Sequence, residues 1–280
     1  MTKKTLYVTD LDGTLLNSSQ QLSQYSKTAI NRLIDKGIVF SVATARSIAT
    51  ALPILQDLHF NVPIILMNGV FIYSPMENKY LHTETIPAYQ VGKIVEIMKN
   101  HSANCFVYGL RDKNSVVLNA YHNKLHSVLQ EEFYLSRMVS SAKKFIETDN
   151  YSFDYEKDIV YFTTVDTYER TSVIYDQLQS IEGITAVLYK DIYSKDGWFL
   201  EISNANANKG NAVKRLKDII SADEIVAFGD NYNDIKMFEN ADYAYCVENA
   251  ADDVKQASDE VIGQCKDDAV AHTLERIFTV

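Results

Sequence analysis

The sequence predicts an α/β fold, a doubly wound parallel sheet interrupted by an α+β insert. Three observations lead there. The first third alternates short apolar runs with stretches of helical spacing. The texture changes at Pro87, where a tyrosine-rich middle begins, and the first texture returns beyond Ser203. Strand–helix–strand alternation requires crossover connections, and these imply parallel pairing. The organisation that follows is a discontinuous core, residues 1–83 with 203–280, and an insert over residues 84–202.

Leu6 to Thr9 reads as a short buried strand. Leu22, Tyr25, Ala29, Ile30, Leu33 and Ile34 then recur at helical spacing, with Ser23 as N-cap and Gly37 as stop. Ile38 to Ala43 is the next apolar run, Ser47 opens a second helix, and Ile64 to Met67 is a third strand. Asn68-Gly69 is a turn signal, and Val70 to Tyr73 with Tyr80 to Thr83 reads as a hairpin. The insert shows helical spacing at Val91, Ile94, Val95 and Met98, then strands at Cys105 to Tyr108 and Val116 to Leu118. A polar helix-prone stretch runs from Asn123 to about Lys144. A strand at Ile159 to Val165, a helix from Tyr168 to about Gln179, and strands at Ala186 to Tyr189 and Trp198 to Ile202 complete it. Most of the 18 tyrosines lie between Tyr89 and Tyr193. Tyrosine suits sheet surfaces, and a minority lining a polar-substrate pocket is the alternative. Beyond Ser203 come a helix from about Lys209 to Ile220, a strand Ile225 to Phe228, a turn at Gly229-Asp230, a helix through Met237, a strand Tyr243 to Val247 and a last helix from about Asp268.

The 280 residues are 46% apolar, enough for a sizeable core. No stretch approaches the roughly 18 to 20 apolar residues of a membrane span. The N-terminal apolar run ends at Asp10, which argues against a signal peptide. Cys105, Cys246 and Cys265 form no C-x-x-C pair and no disulfide framework, so a cytoplasmic location is the simplest reading. The formal net charge of −10 excludes a generally basic nucleic-acid surface. An anionic substrate therefore needs local positive charge from a metal and selected basic side chains.

The segment richest in chemistry is Asp10-Leu11-Asp12-Gly13-Thr14, directly after the first strand. In an extended chain residues i and i+2 face one side, so Asp10 and Asp12 can point into one site at the strand's C-terminal end, where open α/β sheets bind ligands. Gly13 lets the chain turn away. Two carboxylates so close repel unless a cation lies between them or one is protonated. Magnesium fits, since it takes oxygen ligands from one or two carboxylates together with water and phosphate.

Here the chain resembles the haloacid dehalogenase superfamily, in particular its Cof-type phosphatases. Ala43-Thr44-Ala45-Arg46 is similar to the second motif of that family, with Ala45 in place of the usual glycine. Asn208-Lys209-Gly210 matches the third motif, a lysine at a helix start, and follows Glu201-Ile202-Ser203, which resembles the family's approach segment. Gly229-Asp230-Asn231-Tyr232-Asn233-Asp234 matches the fourth. Met237, Asn249-Ala250 and Asp267-Asp268 resemble the family's C-terminal segment. The resemblance implies a Rossmann-like core, a cap of the second type in the insert, and a two-step mechanism. Asp10 is the nucleophile and Asp12 the general acid and base. Thr44, Lys209, Asn233 and the amides of Leu11 and Ala45 hold phosphate oxygens. Magnesium is held by Asp10, the backbone carbonyl of Asp12, and Asp230, with Asp234 a ligand or an orienting carboxylate. The implied substrates are small soluble phosphorylated metabolites, sugar phosphates or cofactor-related phosphates, and neither nucleic acid nor membrane is a partner.

Two rivals stand beside this reading. A phosphotransferase or mutase on the same scaffold passes phosphate to a sugar, and acceptor-dependent turnover separates it. A non-catalytic sugar-phosphate sensor needs neither nucleophile nor acid, so the complete set Asp10, Asp12, Lys209 and Asp230 argues against it. His122 and His126, at i and i+4, lack the adjacent Glu of a zinc motif. Asn68 is a turn residue, with a substrate contact as the alternative. No G-x-x-x-x-G-K-[ST] loop and no G-x-S-x-G elbow occurs.

Overall fold

A computed structural model describes residues 3–112, 115–138, 143–151, 158–191 and 196–278. The strand Thr5–Thr9 has neighbours on both sides in a five-stranded sheet. The order is Glu260–Ile262, Tyr243–Val247, Glu224–Gly229, Thr5–Thr9, Val39–Val42. Every pair is parallel, as the alternation predicts. From Thr5–Thr9 the chain winds outward on one side, and after the insert it winds outward on the other. The strand Ile64–Leu66 meets this sheet through the parallel bridge Ala43 to Ile65. It also pairs antiparallel with Phe71–Ser74 in a three-stranded sheet that ends with Lys79–Thr83.

The predicted caps are present. Ser23 Oγ accepts from Ser26 N at 2.9 Å and opens the helix Gln24–Asp35. Ala29, Ile30, Leu33 and Ile34 form its buried face. Each Leu or Ile so buried contributes about 1.5–3 kcal/mol relative to an exposed position. The helix stops before Gly37, whose φ is +100°.

The chain divides into two compact units, Met1–His82 with Ala207–Val280, and Thr83–Asn206. The second unit is built on a six-stranded sheet. Its order is Ile184–Lys190, Trp198–Asn204, Ile159–Asp166, Phe106–Leu110, Leu118–His122, Lys143–Glu147. All pairs are antiparallel except the last. The helices Ala88–Asn100 and Tyr168–Leu178 bury Val91, Ile94, Met98, Ile174 and Leu178 in one cluster with Val107, Phe162, Leu200 and Ile202.

The polar stretch after Asn123 differs from its helical expectation. The helix covers only Val128–Arg137, with Ser127 as its cap, and Lys143–Glu147 is a strand. Residues 139–142 lie outside the described residues. The strand exists because Leu118–His122 offers it a paired edge, a long-range contact that local helix propensity does not register. Pairing with Phe106–Leu110 on one side and Lys143–Glu147 on the other explains why the strand predicted at Val116 to Leu118 lies instead at Leu118–His122. All three cysteines carry free thiols, and no helix among the described residues is long and apolar enough to cross a membrane.

Candidate active site

The site begins where Thr5–Thr9 ends. Asp10 N donates to Phe228 O at 2.9 Å, which continues the parallel ladder and holds Asp10 at the C-terminal end of the sheet. The chain then folds into a tight single turn over Leu11–Leu15, closed by Leu16 N donating to Leu11 O at 2.9 Å. Gly13 makes this possible with φ +81°, and a methyl at that position would collide with the Asp230 carboxylate. The turn brings Thr14 Oγ1 to within 2.6 Å of Asp230 Oδ1, to which it donates. Asn249 Nδ2 donates to Gly13 O at 2.8 Å and braces the turn from outside.

Lys209 opens the helix Lys209–Ile220, capped by Asn208 Oδ1, which accepts from Asn211 N at 2.9 Å. Its ammonium is fully buried, 2.8 Å from Asp10 Oδ1 and 2.6 Å from Asp234 Oδ1. Asp234, also fully buried, turns its other oxygen to the amides of Asp230 and Asn231 at 3.0 Å each. Asp230 therefore presents its carboxylate from a backbone that Asp234 holds still.

Oxygens of Asp10, Asp230 and Asp234 lie within 4.8 Å of one another, and among the described residues this is the group suited to a metal ion. Three carboxylates against one ammonium leave the cluster with two formal negative charges, 3 − 1 = 2. That surplus, oxygen donors and burial fit a hard divalent cation. Burial pushes the Asp10 carboxyl up to about 8, with Asp234 and Asp230 adding to the rise and Lys209 opposing it. Burial also raises Asp230, against the Thr14 hydrogen bond. For Lys209, burial works against the charge, but the pull of Asp10 and Asp234 outweighs it and holds the ammonium above the ordinary lysine value.

Asp12 stands apart from this cluster. Its side chain is 43% exposed, and both its oxygens accept from Arg46, Oδ2 from Nε at 2.7 Å and Oδ1 from Nη2 at 2.5 Å. Gln20 Oε1 accepts from the same Nη2 at 3.0 Å. The sequence-based site reading assigned no role to Arg46, although it stands two residues after Thr44; an arginine beside a predicted strand-end hydroxyl is the signal that points to it. Thr44 is fully buried, and its Oγ1 accepts from Arg46 N at 3.1 Å. Ala45 between them is exposed. Leu11 is buried. Asn233 is exposed, and its Nδ2 donates to Asn68 Oδ1 at 3.0 Å.

The family model of the haloacid dehalogenase-like hydrolases matches residues 7–274. The chain belongs to this family. This haloacid dehalogenase-like hydrolase is 24% identical over 298 aligned residues to the 5-amino-6-(5-phospho-D-ribitylamino)uracil phosphatase YitU of Bacillus subtilis, covering 100% of the chain and 99% of that protein. It is 24% identical over 271 residues to the pyridoxal phosphate phosphatase YbhA of Escherichia coli, covering 94% of each. Among solved structures, TM0651 from Thermotoga maritima matches with a TM-score of 0.78 at 26% identity, over 100% of this chain and 99% of that one. The haloacid dehalogenase-like hydrolase described here is accordingly an enzyme, a phosphomonoester hydrolase.

The weaker candidates resolve differently. His122 Nδ1 lies 2.9 Å from Asn123 O, and the ring packs near Phe106, Tyr134 and Phe145, which accounts for it without a metal. In the second unit, Tyr161 and Tyr189 hydrogen-bond to Glu201, whose carboxyl is raised by burial.

Proposed function

We propose that this chain is a magnesium-dependent phosphatase that hydrolyses small phosphorylated metabolites, sugar phosphates or cofactor-related phosphates, through a phospho-aspartate on Asp10. The observation that carries this reading is the buried Asp10 carboxylate at the end of Thr5–Thr9, paired with Lys209 and grouped with Asp230 and Asp234. Asp10, Asp230 and the backbone carbonyl of Asp12 hold magnesium, with Asp234 as a further ligand or as the carboxylate that orients Asp230. When bound, magnesium offsets the charge of the phosphoryl oxygens and of the carboxylates around them.

The residues then act in two steps. An Asp10 oxygen forms a bond to phosphorus as the bond from phosphorus to the leaving oxygen breaks. Asp12, freed by Arg46 on one oxygen and protonated there, gives that proton to the leaving alkoxide. In the second step Asp12 takes a proton from water, the water oxygen attacks phosphorus, and the bond to Asp10 breaks. Inorganic phosphate leaves and Asp10 is again a carboxylate. Lys209, Thr44, Asn233 and the amides of Leu11 and Ala45 hold the phosphoryl oxygens, in keeping with a reaction governed by positioning and charge. Ala45, the residue in place of the usual glycine, is exposed. Arg46 fixes the rotamer of Asp12. The insert, residues 84–202 on the sequence reading, is the specificity cap.

The similarity to phosphatases named for a flavin-pathway intermediate and for pyridoxal phosphate supports this substrate class. The test is phosphate release from a panel of sugar and cofactor phosphates, with magnesium and with excess chelator, for the parent and Asp10→Asn. Release is expected only with magnesium and only from the parent. Undiminished turnover in chelator would remove the metal from the reading, and turnover by Asp10→Asn above about a tenth of the parent rate, roughly 1.4 kcal/mol of barrier, would remove the phospho-aspartate.

A further inference from the structure

Three consecutive residues, Met67, Asn68 and Gly69, have positive φ, +49°, +52° and +99°. Glycine adopts this region freely and asparagine tolerates it, but methionine gains nothing there. Such a run persists only where its surroundings over-determine it. The surroundings are specific. Met67 N donates to Arg46 O at 3.0 Å, and Asn68 N donates to Thr44 O at 2.9 Å. A methyl on Gly69 would lie 2.6 Å from Asn208 O and 3.0 Å from Ala212 Cβ, so only glycine lets the turn approach the start of the Lys209 helix. The Asn68 side chain then accepts from Asn233 Nδ2 at 3.0 Å. One short turn thus touches the loop of Thr44, the cap of Lys209 and the amide of Asn233.

A turn role alone explains the backbone of Asn68 but not its side chain, since glycine would serve the same φ without strain. The amide of Asn233 carries two hydrogens. Asn68 takes one, which fixes the exposed group and leaves the other for an acceptor. We infer that Asn68 is a positioning residue that aims the Asn233 amide at a phosphoryl oxygen. This rests on the proposed phosphate role of Asn233.

The test uses Asn68→Gly, which keeps the turn and deletes the acceptor, together with Asn233→Ala and the double variant. All are assayed where circular dichroism shows every protein folded. Asn68→Gly should melt within about 4 °C of the parent, yet lose about tenfold in kcat/KM, equally on a sugar phosphate and on nitrophenyl phosphate. Its inhibition by orthovanadate, a phosphoryl mimic, should weaken in parallel. The double variant should be no slower than Asn233→Ala alone, because both substitutions remove one interaction. Asn68→Gly within about twofold of the parent, or losses that multiply in the double variant, would overturn the inference. Asn233→Ala at the parent rate would withdraw the phosphate role of Asn233 itself, and the inference with it.

Discussion

Lys209 Nζ lies 2.8 Å from Asp10 Oδ1, and their side chains are 0% and 7% exposed. Breaking a buried pair of this kind by removing one partner costs about 3–5 kcal/mol, because the other charge stays buried and unpaired. Lys209→Met should therefore abolish turnover and, in chelator above about pH 8, where Asp10 is ionised, lower the melting temperature sharply. Magnesium should restore part of that loss. Thermal melts of both proteins with and without magnesium check this, and an unchanged melting temperature in chelator would contradict it.

The same crowding sets a pH dependence. Burial raises the Asp10 carboxyl from 3.8 to about 8 in the folded protein. Between about pH 4 and pH 8 the unfolded chain has released this proton while the metal-free folded protein keeps it. The folded state binds more protons there, so the stability of the metal-free protein falls as pH rises through that window. Asp230, raised in the same sense, adds to the fall. Asp10→Asn lacks the titration. Measured in chelator, its melting temperature should gain on the parent as pH increases from about 4 to about 8. A constant difference across that range would count against the raised carboxyl.

Asp12 and Arg46 predict a dependence on the leaving group. A sugar alkoxide needs a proton as its bond breaks, whereas nitrophenolate does not, and general acid catalysis contributes about 10²- to 10⁴-fold. Asp12→Asn should cost most on a sugar phosphate and clearly less on nitrophenyl phosphate in the first, phosphoryl-transfer step. Arg46 holds both Asp12 oxygens in the resting site, and it must release one before Asp12 can carry the proton it gives to the leaving group. Single-turnover rates are the measurement, since Asp12 also serves the second step. Equal losses for Asp12→Asn on both substrates would leave it a structural carboxylate.

Gly13 faces Asp230 without a side chain between them. Gly13→Ala places a methyl against that carboxylate at φ +81°, a backbone region that costs an L-residue about 1–2 kcal/mol. The expected result is a loss of about tenfold or more in turnover and a higher magnesium concentration for half-activation. Magnesium titration of both proteins decides it; an unaltered half-activation point would show that the turn adapts without moving Asp230.

Much of this molecule is legible in its sequence because the signals are local. Alternation of apolar runs and helical spacing predicts the parallel core. Ser23 and Gly37 bound the first helix, since a cap and a positive φ depend on neighbours a few residues away. The Asp10-Leu11-Asp12-Gly13-Thr14 turn is likewise a short-range pattern. Residues far apart in the chain decided the rest. The strand Lys143–Glu147 reads as helix until Leu118–His122 offers it an edge. Asp10 and Asp12 belong to one motif, yet folding sends the first to buried Lys209 and the second to Arg46 at the exposed rim. Asn68 reads as a turn until Asn233 arrives beside it. The sequence by itself determined that Asp10 and Asp12 follow the first strand, that Thr44 follows the second and that Lys209 opens a helix, but it left Arg46 without a role. Only the tertiary structure decided which of them are buried together, because burial and charge pairing depend on what packs across the sheet.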